Sequence, residues 1–582
     1  MKKVLLLLAF LSASLNQMLA ADSDWYLYIW SDTNNSGSDF GQFQTTGIDG
    51  ESVLEGITTT EGGLKFCIHN SAWSTSYGWS KDNEGVVTET GIDIPLGLTS
   101  SASGWIGLEP GTYDITFDVN AKTIRFDEPM PILPDLGDDY LRGGDVSMMN
   151  YVESFGAKFY DFNGTQRDPL DIMQENGVNI VRLRLYNSSG QSVTYTVDNN
   201  AYTYKLPSGY LDETDILNLA RRARKKGMHI QLTFHYSDYW TNGEIQFKPK
   251  AWEDCTFDQL KDSVYTYTYN FLQKMKAQGT APDYVSLGNE IQGGILFGHS
   301  NNIDAVSGHY TNMSNLAALL KEGSKAVREV CPDAKVIIHL TLNQSTGYNQ
   351  YQWFLDNLKN KGYTDYDIIG ASYYPYWTDQ RPTMLNSLAN SLYSRYSKPL
   401  MIMETGYSWT RYRPGGRYGG NYEGQLHLNG SAYNEASKEG QKSFMQELQT
   451  VVKSNDNILG YLYWDPMMVE QKVKGKWIET TWALKYDQSY DTWWQDGNPV
   501  GNTTWFDYEG KALPIFEAIK EDVIKTTRGD VNGDGVVNGT DIQAVINLIV
   551  TGEYDEKADV NKDGMVNGTD IQEVINIIVN AQ

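Results

Sequence analysis

The sequence predicts an α/β protein built on a (β/α)8 TIM barrel, with an N-terminal β-sandwich module and a small C-terminal α-helical calcium-binding module. Three observations predict it. Across residues 140–523, short apolar runs alternate with amphipathic stretches, as strands followed by packing helices do. Residues 22–128 instead alternate apolar and polar side chains between clusters of Gly, Asn, Asp and Ser. Residues 524–582 hold two nearly identical acidic loops.

Composition narrows the function. The 582 residues carry a formal charge of −26, which argues against nucleic acid, whose phosphates would be repelled. Met1-Lys-Lys-Val-Leu-Leu-Leu-Leu-Ala-Phe10 has a basic start and an apolar run too short to span a bilayer, with small residues at Ala20-Ala21. Residues 1–21 are therefore expected to be a secretory signal, and the protein to be secreted, extracellular or associated with the cell surface. No later stretch is apolar for long enough to be a transmembrane segment. Cys67, Cys255 and Cys331 are too few and too scattered for a disulfide framework, so buried thiols are expected. A monomer is expected too. The 39 Tyr and 16 Trp suit a protein that stacks sugar rings on aromatic faces, or one with a Tyr-rich core.

Taken in order, the first module contains Trp25-Tyr-Leu-Tyr-Ile-Trp30 and Tyr113-Asp-Ile-Thr-Phe-Asp-Val119 as strand candidates. Between them Trp73, Tyr77 and Trp79 lie close in sequence, which leaves both sugar binding and a spacer role open. Residues 129–139 begin with Pro129-Met-Pro-Ile-Leu-Pro134, a stiff linker because each proline fixes its φ and removes a donor. Barrel strands are expected to end near Met148, Tyr186, His235, Leu287, Leu340, Ser372, Met403 and Trp464. Helices are expected over 213–226, 257–276, 315–330, 351–361 and 435–453. No Gly-rich phosphate loop follows any strand, so nucleotide chemistry is not expected.

In the tail, Asp530, Asn532, Asp534 and Asp541 occupy positions 1, 3, 5 and 12 of a loop, with Gly535 at position 6. Asp559, Asn561, Asp563 and Asp570 repeat the layout 29 residues later (559 − 530). Each loop is expected to hold one Ca2+, two ions in all, and to precede a helix, over 542–550 and 571–579. From Asp530 onward the chain has 10 acidic and 2 basic residues, so folding of this segment should depend on calcium.

The chemistry is expected at the barrel mouth. Tyr284-Val-Ser-Leu-Gly-Asn289-Glu290 ends the fourth apolar run in a carboxylate, and Pro399-Leu-Met-Ile-Met-Glu404 ends the seventh likewise. The 114 residues between them (404 − 290) fit three βα units, so both carboxyls should point into the mouth. Retaining glycosidases need two carboxyls roughly 5–5.5 Å apart, one to attack the anomeric carbon and one to protonate the leaving oxygen. Asn289 can bond a sugar 2-hydroxyl, which assigns acid/base work to Glu290 and nucleophilic attack to Glu404. Arg182 and Arg184 share one face of the second strand by the period-2 rule, and one of them can hold Glu404 anionic.

Several motifs together resemble glycoside hydrolase family 53, the endo-β-1,4-galactanases. They are Gly144-Asp-Val-Ser147, Asn179-Ile-Val-Arg-Leu-Arg184, Phe234-His-Tyr-Ser-Asp-Tyr-Trp240, Lys248-Pro-Lys-Ala-Trp252, Leu287-Gly-Asn-Glu290, Tyr461-Leu-Tyr-Trp-Asp-Pro466 and Gly501-Asn-Thr-Thr-Trp-Phe-Asp507. The resemblance implies internal hydrolysis of β-1,4-galactan, a pectic side chain, with retained anomeric configuration and no catalytic cofactor. It implies the same roles for Glu290 and Glu404. It also points to His235 and Asp238 as sugar-site residues, to Trp464 as a flat ring beneath the sugar, and to Tyr374 and Trp377 as cleft-lining side chains. Two stretches depart from the family: Thr241-Asn-Gly-Glu244 replaces an Asp-Pro turn, and the 408–434 loop lacks a calcium-ligand run, so no metal is expected there. The tail resembles a type I dockerin, which implies a cohesin-like partner; Gly539-Thr540 and Gly568-Thr569 stand where a Ser-Thr pair is common. Other retaining barrel endo-glycanases, such as a β-mannanase, and a non-catalytic glycan-binding surface protein are the competing possibilities.

Overall fold

The computed structural model describes residues 25–580 apart from 32–35, 46–50, 60–63, 73–74, 80–85, 88–93, 99–105, 109–110, 128–129, 132, 134–135, 137–138, 198–199, 244, 300–304, 344–346, 411–435, 478–483, 488–491, 495–500, 527, 533–535 and 556. The expected signal segment, Trp73, residues 411–434 of the loop after the seventh strand and the calcium ligand Asp534 lie outside the described residues.

The N-terminal module is one hydrogen-bonded sheet of 11 strands rather than two separate ones. Ile94–Leu98 pairs with Ser76–Trp79 on one side and with Thr123–Asp127 on the other, joining the two halves. Those halves face each other across one core, where Leu27, Ile68 and Tyr77 of one half pack with Ile115, Phe117 and Phe126 of the other. Tyr77 is thus a core side chain, 5.6 Å from Phe117, and not part of an exposed aromatic patch.

The second unit holds the barrel. Its eight strands are β1 (Leu141–Asp145), β2 (Ile180–Leu185), β3 (His229–Phe234), β4 (Tyr284–Leu287), β5 (Lys335–Thr341), β6 (Ile368–Ser372), β7 (Leu400–Glu404) and β8 (Ile458–Tyr463). They pair in parallel in that order, and β1 pairs with β8 to close the ring. Leu141, Ile180, Ile337, Ile368, Met401, Met403 and Leu462 pack as one buried cluster inside the ring. Leu136, from the expected linker, packs on this cluster, so the end of that segment belongs to the barrel.

Helices α1 (Pro169–Glu175), α2 (Glu213–Lys225), α3 (Phe257–Ala277), α4 (Met313–Val330), α5 (Tyr348–Asn360), α6 (Met384–Tyr396), α7 (Lys438–Lys453) and α8 (Ile515–Thr526) follow the strands in turn. Their ends show why they form. Asp168 and Asp212 cap α1 and α2, and Pro169 opens α1 where its missing N–H costs nothing. Ser437 caps α7 by accepting from Gly440 N at 3.0 Å. α1, α6 and α8 were not among the expected helices. No helix among the described residues is long and apolar enough to cross a membrane. Cys67 and Cys331 are buried and Cys255 is half-buried.

The tail forms α9 (Gly539–Thr551) and α10 (Gly568–Asn580), each a turn longer at its start than expected because the last loop carboxylate lies in the helix's first turn. Val531, Val545, Ala558, Val560 and Val574 make its small core.

Candidate active site

At the mouth, β4 ends in a sharp turn. Gly288 has φ +95°, and a Cβ there would stand 2.4 Å from the Ile291 side chain. Glu290 follows at φ 51°, ψ 53°, a left-handed conformation that costs a non-glycine residue about 1–3 kcal/mol and that clusters at functional sites. Glu404 is the last residue of β7 and pairs with Ser372 across a register irregularity between β6 and β7. Glu290 is 8% and Glu404 5% exposed. A carboxylate oxygen of each and a ring nitrogen of His339 all lie within 4.8 Å of one another.

The surroundings of the two carboxyls differ. Arg182 Nη1 donates to Glu404 Oε1 at 2.7 Å, and the Tyr374 hydroxyl donates to Oε2 at 3.1 Å. Burial raises the pKa of Glu404, but these donors oppose it by favouring the charged form. No ion pair to Glu290 is formed among the described residues; burial and the charge of Glu404 push it up to about 8. The surroundings thus favour the charged form at Glu404 through its two donors and the neutral form at Glu290 through burial and the neighbouring charge.

Of the two arginines that share the inward face, Arg182 is the one on Glu404. Its Nη2 also donates to Asn289 Oδ1 at 2.6 Å, tying both carboxyl-bearing turns to one guanidinium. Arg184 instead donates to Asp465 at 2.6 Å and lies 3.1 Å from Asp145. Its guanidinium carbon stands 4.3 Å from the Trp464 ring, giving the indole a charged floor. Trp240 meets Trp464 edge to face at 6.1 Å.

A barrel mouth with two buried carboxylates in unequal surroundings matches known proteins. The model of glycosyl hydrolase family 53 matches residues 141–519, and that of the type I dockerin domain matches 528–579. The chain belongs to glycosyl hydrolase family 53. An arabinogalactan endo-beta-1,4-galactanase of Cellvibrio japonicus is 32% identical over 383 residues, 65% of this chain and 90% of that protein. An endo-beta-1,4-galactanase of Bacillus subtilis is 29% identical over 403 residues, 66% and 86% of the two chains. The GH53 catalytic domain of Ignisphaera aggregans superposes with a TM-score of 0.54 at 33% identity, covering 68% of this chain and 98% of that domain.

Within this family 53 glycosidase the remaining expected residues divide. His235 is 1% exposed, stacks on Tyr186 at 4.2 Å and accepts or donates at Nδ1 with Thr241 at 2.6 Å, while its Nε2 has no hydrogen-bond partner among the described residues. Burial and the two arginines lower its pKa well below the usual value, so the ring is neutral. Asp238 accepts from Lys250 N at 2.8 Å and so caps the turn at Lys250–Trp252. This bond uses one of its two carboxylate oxygens. Trp377 is 47% exposed and its ring lies 4.7 Å from that of Tyr374, which carries an aromatic surface from Glu404 outward.

Sequence reasoning passed over Asp145, His339, Ser372 and Asp465. His339 interrupts the apolar run Val336-Ile-Ile-His-Leu340, and a polar side chain in a buried strand was the available signal. Glu290, His339 and Glu404 have the donor types of a metal site. Here, however, Arg182 holds Glu404, and both imidazole nitrogens are engaged, Nδ1 by Glu290 N at 3.4 Å and Nε2 by Ser372 Oγ at 2.8 Å. The arrangement fits proton transfer.

In the dockerin module, Asp530, Asp559, Asp541 and Asp570 are 3%, 6%, 0% and 0% exposed. Asp541 accepts from Asn532 N at 3.1 Å and Asn538 N at 2.8 Å, and Asp570 repeats this with Asn561 N and Asn567 N. Gly564, at loop position 6, takes φ +84°, the turn an EF-hand loop needs there. Buried carboxylates in an all-oxygen donor set fit a hard divalent ion such as Ca2+.

Proposed function

We propose that this chain is a secreted, endo-acting retaining glycosidase that hydrolyses β-1,4-galactan, the side chains of pectic arabinogalactan, by double displacement. The observation that carries the mechanism is the pair of carboxylates with oxygens within 4.8 Å, one cation-bound and one not. That spacing suits direct attack and leaves no room for the water an inverting enzyme places between its carboxyls. Glu404 attacks the anomeric carbon while Glu290 protonates the departing oxygen, giving a glycosyl ester on Glu404. Esterification removes the negative charge that helps hold Glu290 protonated, so its pKa falls and it stays ionised after giving up its proton. As a carboxylate it then takes a proton from a water whose oxygen attacks the anomeric carbon, breaking the ester bond to Glu404 and freeing the sugar.

The other side chains position the sugar. Arg182 occupies Asn289 Oδ1, which leaves the Asn289 amide to donate to the 2-hydroxyl as positive charge grows on the ring. Trp464 supplies the flat surface under that sugar, with Arg184 beneath it. His235 offers Nε2, and Tyr374 with Trp377 lines the outer cleft. Substrate identity rests on the galactanase relatives. The tail binds two calcium ions and docks a cohesin-like protein.

Release of reducing ends from galactan, compared with mannan, xylan and cellulose, tests the substrate; turnover of another polymer with none on galactan overturns it. Glu404→Ala and Glu290→Ala should each lose at least about 1,000-fold in kcat/KM. Azide should rescue both, giving the α-glycosyl azide with Glu404→Ala and the β-glycosyl azide with Glu290→Ala. Swapped products would exchange the roles.

A further inference from the structure

We propose that Tyr310 and Trp353 form a second sugar-stacking platform, which holds the galactan chain on the leaving-group side of the cleavage point. The inference rests on galactan being the substrate and on Glu290 being the acid/base.

The two rings end a row that starts at the catalytic turn. Ile291–Gly293 follows Glu290 as one tight turn, and a Cβ on Gly293 would stand 3.2 Å from the Phe297 ring, so Phe297 lies against that turn. His309 meets Phe297 edge to face at 4.8 Å, Tyr310 lies 4.3 Å from His309, and Trp353 meets Tyr310 edge to face at 6.0 Å. The main chain fixes the row in place. Gly294 and Ile295 pair with His309 and Gly308 in a short antiparallel ladder, and His309 Nδ1 accepts from Thr311 N at 3.3 Å, which sets the turn Tyr310–Asn312 ahead of α4. Trp353 stands in the second turn of α5, and the Tyr351 hydroxyl of that helix donates to Leu340 O near the end of β5 at 3.0 Å. Because α5 follows β5, its N-terminal end is at the mouth, and helix side chains lean toward the N-terminus. Both rings therefore stand on the mouth side of the barrel.

Exposure divides the row into a base and a platform. Phe297 and His309 are buried, whereas Tyr310 is 42% and Trp353 46% exposed. Single exposed aromatics are ordinary. Two that touch each other and rest on buried rings are already in place when a ligand arrives, and they lose little freedom on binding it. The axial oxygen at C4 of a galactose ring leaves the hydrogens of C3, C4 and C5 together on the opposite face, an apolar patch that matches the face of an indole or phenol ring. The side of the cleavage point follows from the closed barrel. Trp464, beneath the sugar under attack, follows β8, and β8 stands opposite β4 in the ring. The part of the chain that departs when Glu290 protonates its oxygen extends away from Trp464, toward β4 and β5. Tyr310 and Trp353 stand on the segments that follow those two strands.

The test compares long galactan with an aryl β-galactobioside, which has no sugar on the leaving side, in the full chain carrying Trp353→Ala, Tyr310→Ala or Trp353→Phe. Loss of either ring should raise KM on galactan about tenfold with kcat unchanged, because the contact is equal in the ground and transition states. Trp353→Phe keeps a stacking face and should lie between Trp353→Ala and wild type. On the aryl substrate every variant should match wild type within about twofold in kcat/KM, which also reports an intact active site. Long oligosaccharides labelled at the reducing end, the end that departs, should release shorter labelled fragments from Trp353→Ala than from wild type. An unchanged KM on galactan in both alanine variants, an equal loss on galactan and the aryl substrate, or unchanged labelled fragments overturns the proposal. If wild type does not cut galactan, the substrate reading fails and the platform with it. If wild type cuts galactan and the alanine variants match it, only the platform fails.

Discussion

Replacing Tyr374 by Phe isolates one of the two donors on Glu404. The hydroxyl lies 3.1 Å from Glu404 Oε2, slightly long for an O–H···O bond, so it belongs at the lower end of the range for bonds to charge, about 1.5 kcal/mol. That corresponds to about one pKa unit. The sign is fixed by which form the donor favours. The hydroxyl stabilises the carboxylate, so its loss raises the Glu404 pKa, and the acid limb of kcat/KM should move up by about one pH unit. Arg182 still holds the other oxygen, so the nucleophile stays in place and the alkaline limb should move much less. The Phe ring retains the packing against Tyr376 and Trp377, at 5.2 and 4.7 Å, so the melting temperature should change little. The assay is a pH profile of initial rates on galactan oligosaccharides for wild type and variant. A fixed acid limb, or a shift confined to the alkaline side, would refute the assignment of Glu404 as the carboxylate that must be ionised.

Glu290→Gln should raise thermal stability, and by more at pH 8 than at pH 5. The folded protein keeps the Glu290 proton to about 8, whereas an unfolded glutamate loses it near ~4.3, so wild-type stability falls as pH rises between those values. Scanning calorimetry at both pH values checks this; an equal shift at each would count against a buried acid. Asp238→Ala should lose about 1 kcal/mol of stability through the missing cap on Lys250 N, read as a lower denaturant midpoint. A large drop in kcat/KM with unchanged stability would return Asp238 to the sugar site. Chelation with EDTA, or Asp541→Ala with Asp570→Ala, should melt α9 and α10 by circular dichroism and leave barrel activity unchanged. Helix content indifferent to calcium would show that the tail folds on its small core alone.

Much of the fold was legible because most barrel strands are buried along most of their length and read as apolar runs, bounded by polar residues. The expected strand ends fall within about three residues of the observed ones. α6 escaped because Met384–Tyr396 spreads Asn and Ser among its leucines, which blurs the apolar stripe. Tyr77 lies close to Trp73 and Trp79 in sequence, which left its role open, and only its place in the folded sheet makes it a core residue. Asp238 carried the family motif but not its present bonding partner, since Lys250 is 12 residues away in a turn that the motif does not predict.

By itself the sequence determined the identities of the two carboxylates, their places at the ends of β4 and β7, and the family to which the barrel belongs. Alternation along β2 put Arg182 and Arg184 on one face, yet it left open which of them meets Glu404. Tertiary structure decided that. Closing the ring fixes the height of each strand against strands distant in sequence, so Arg182 reaches Glu404 and Asn289 while Arg184 lies under Trp464. The same closure brings His339 of β5 between the Glu290 N–H and Ser372 of β6. Periodicity tells a side chain which way to face; only the relative registers of the strands tell it whom it will meet.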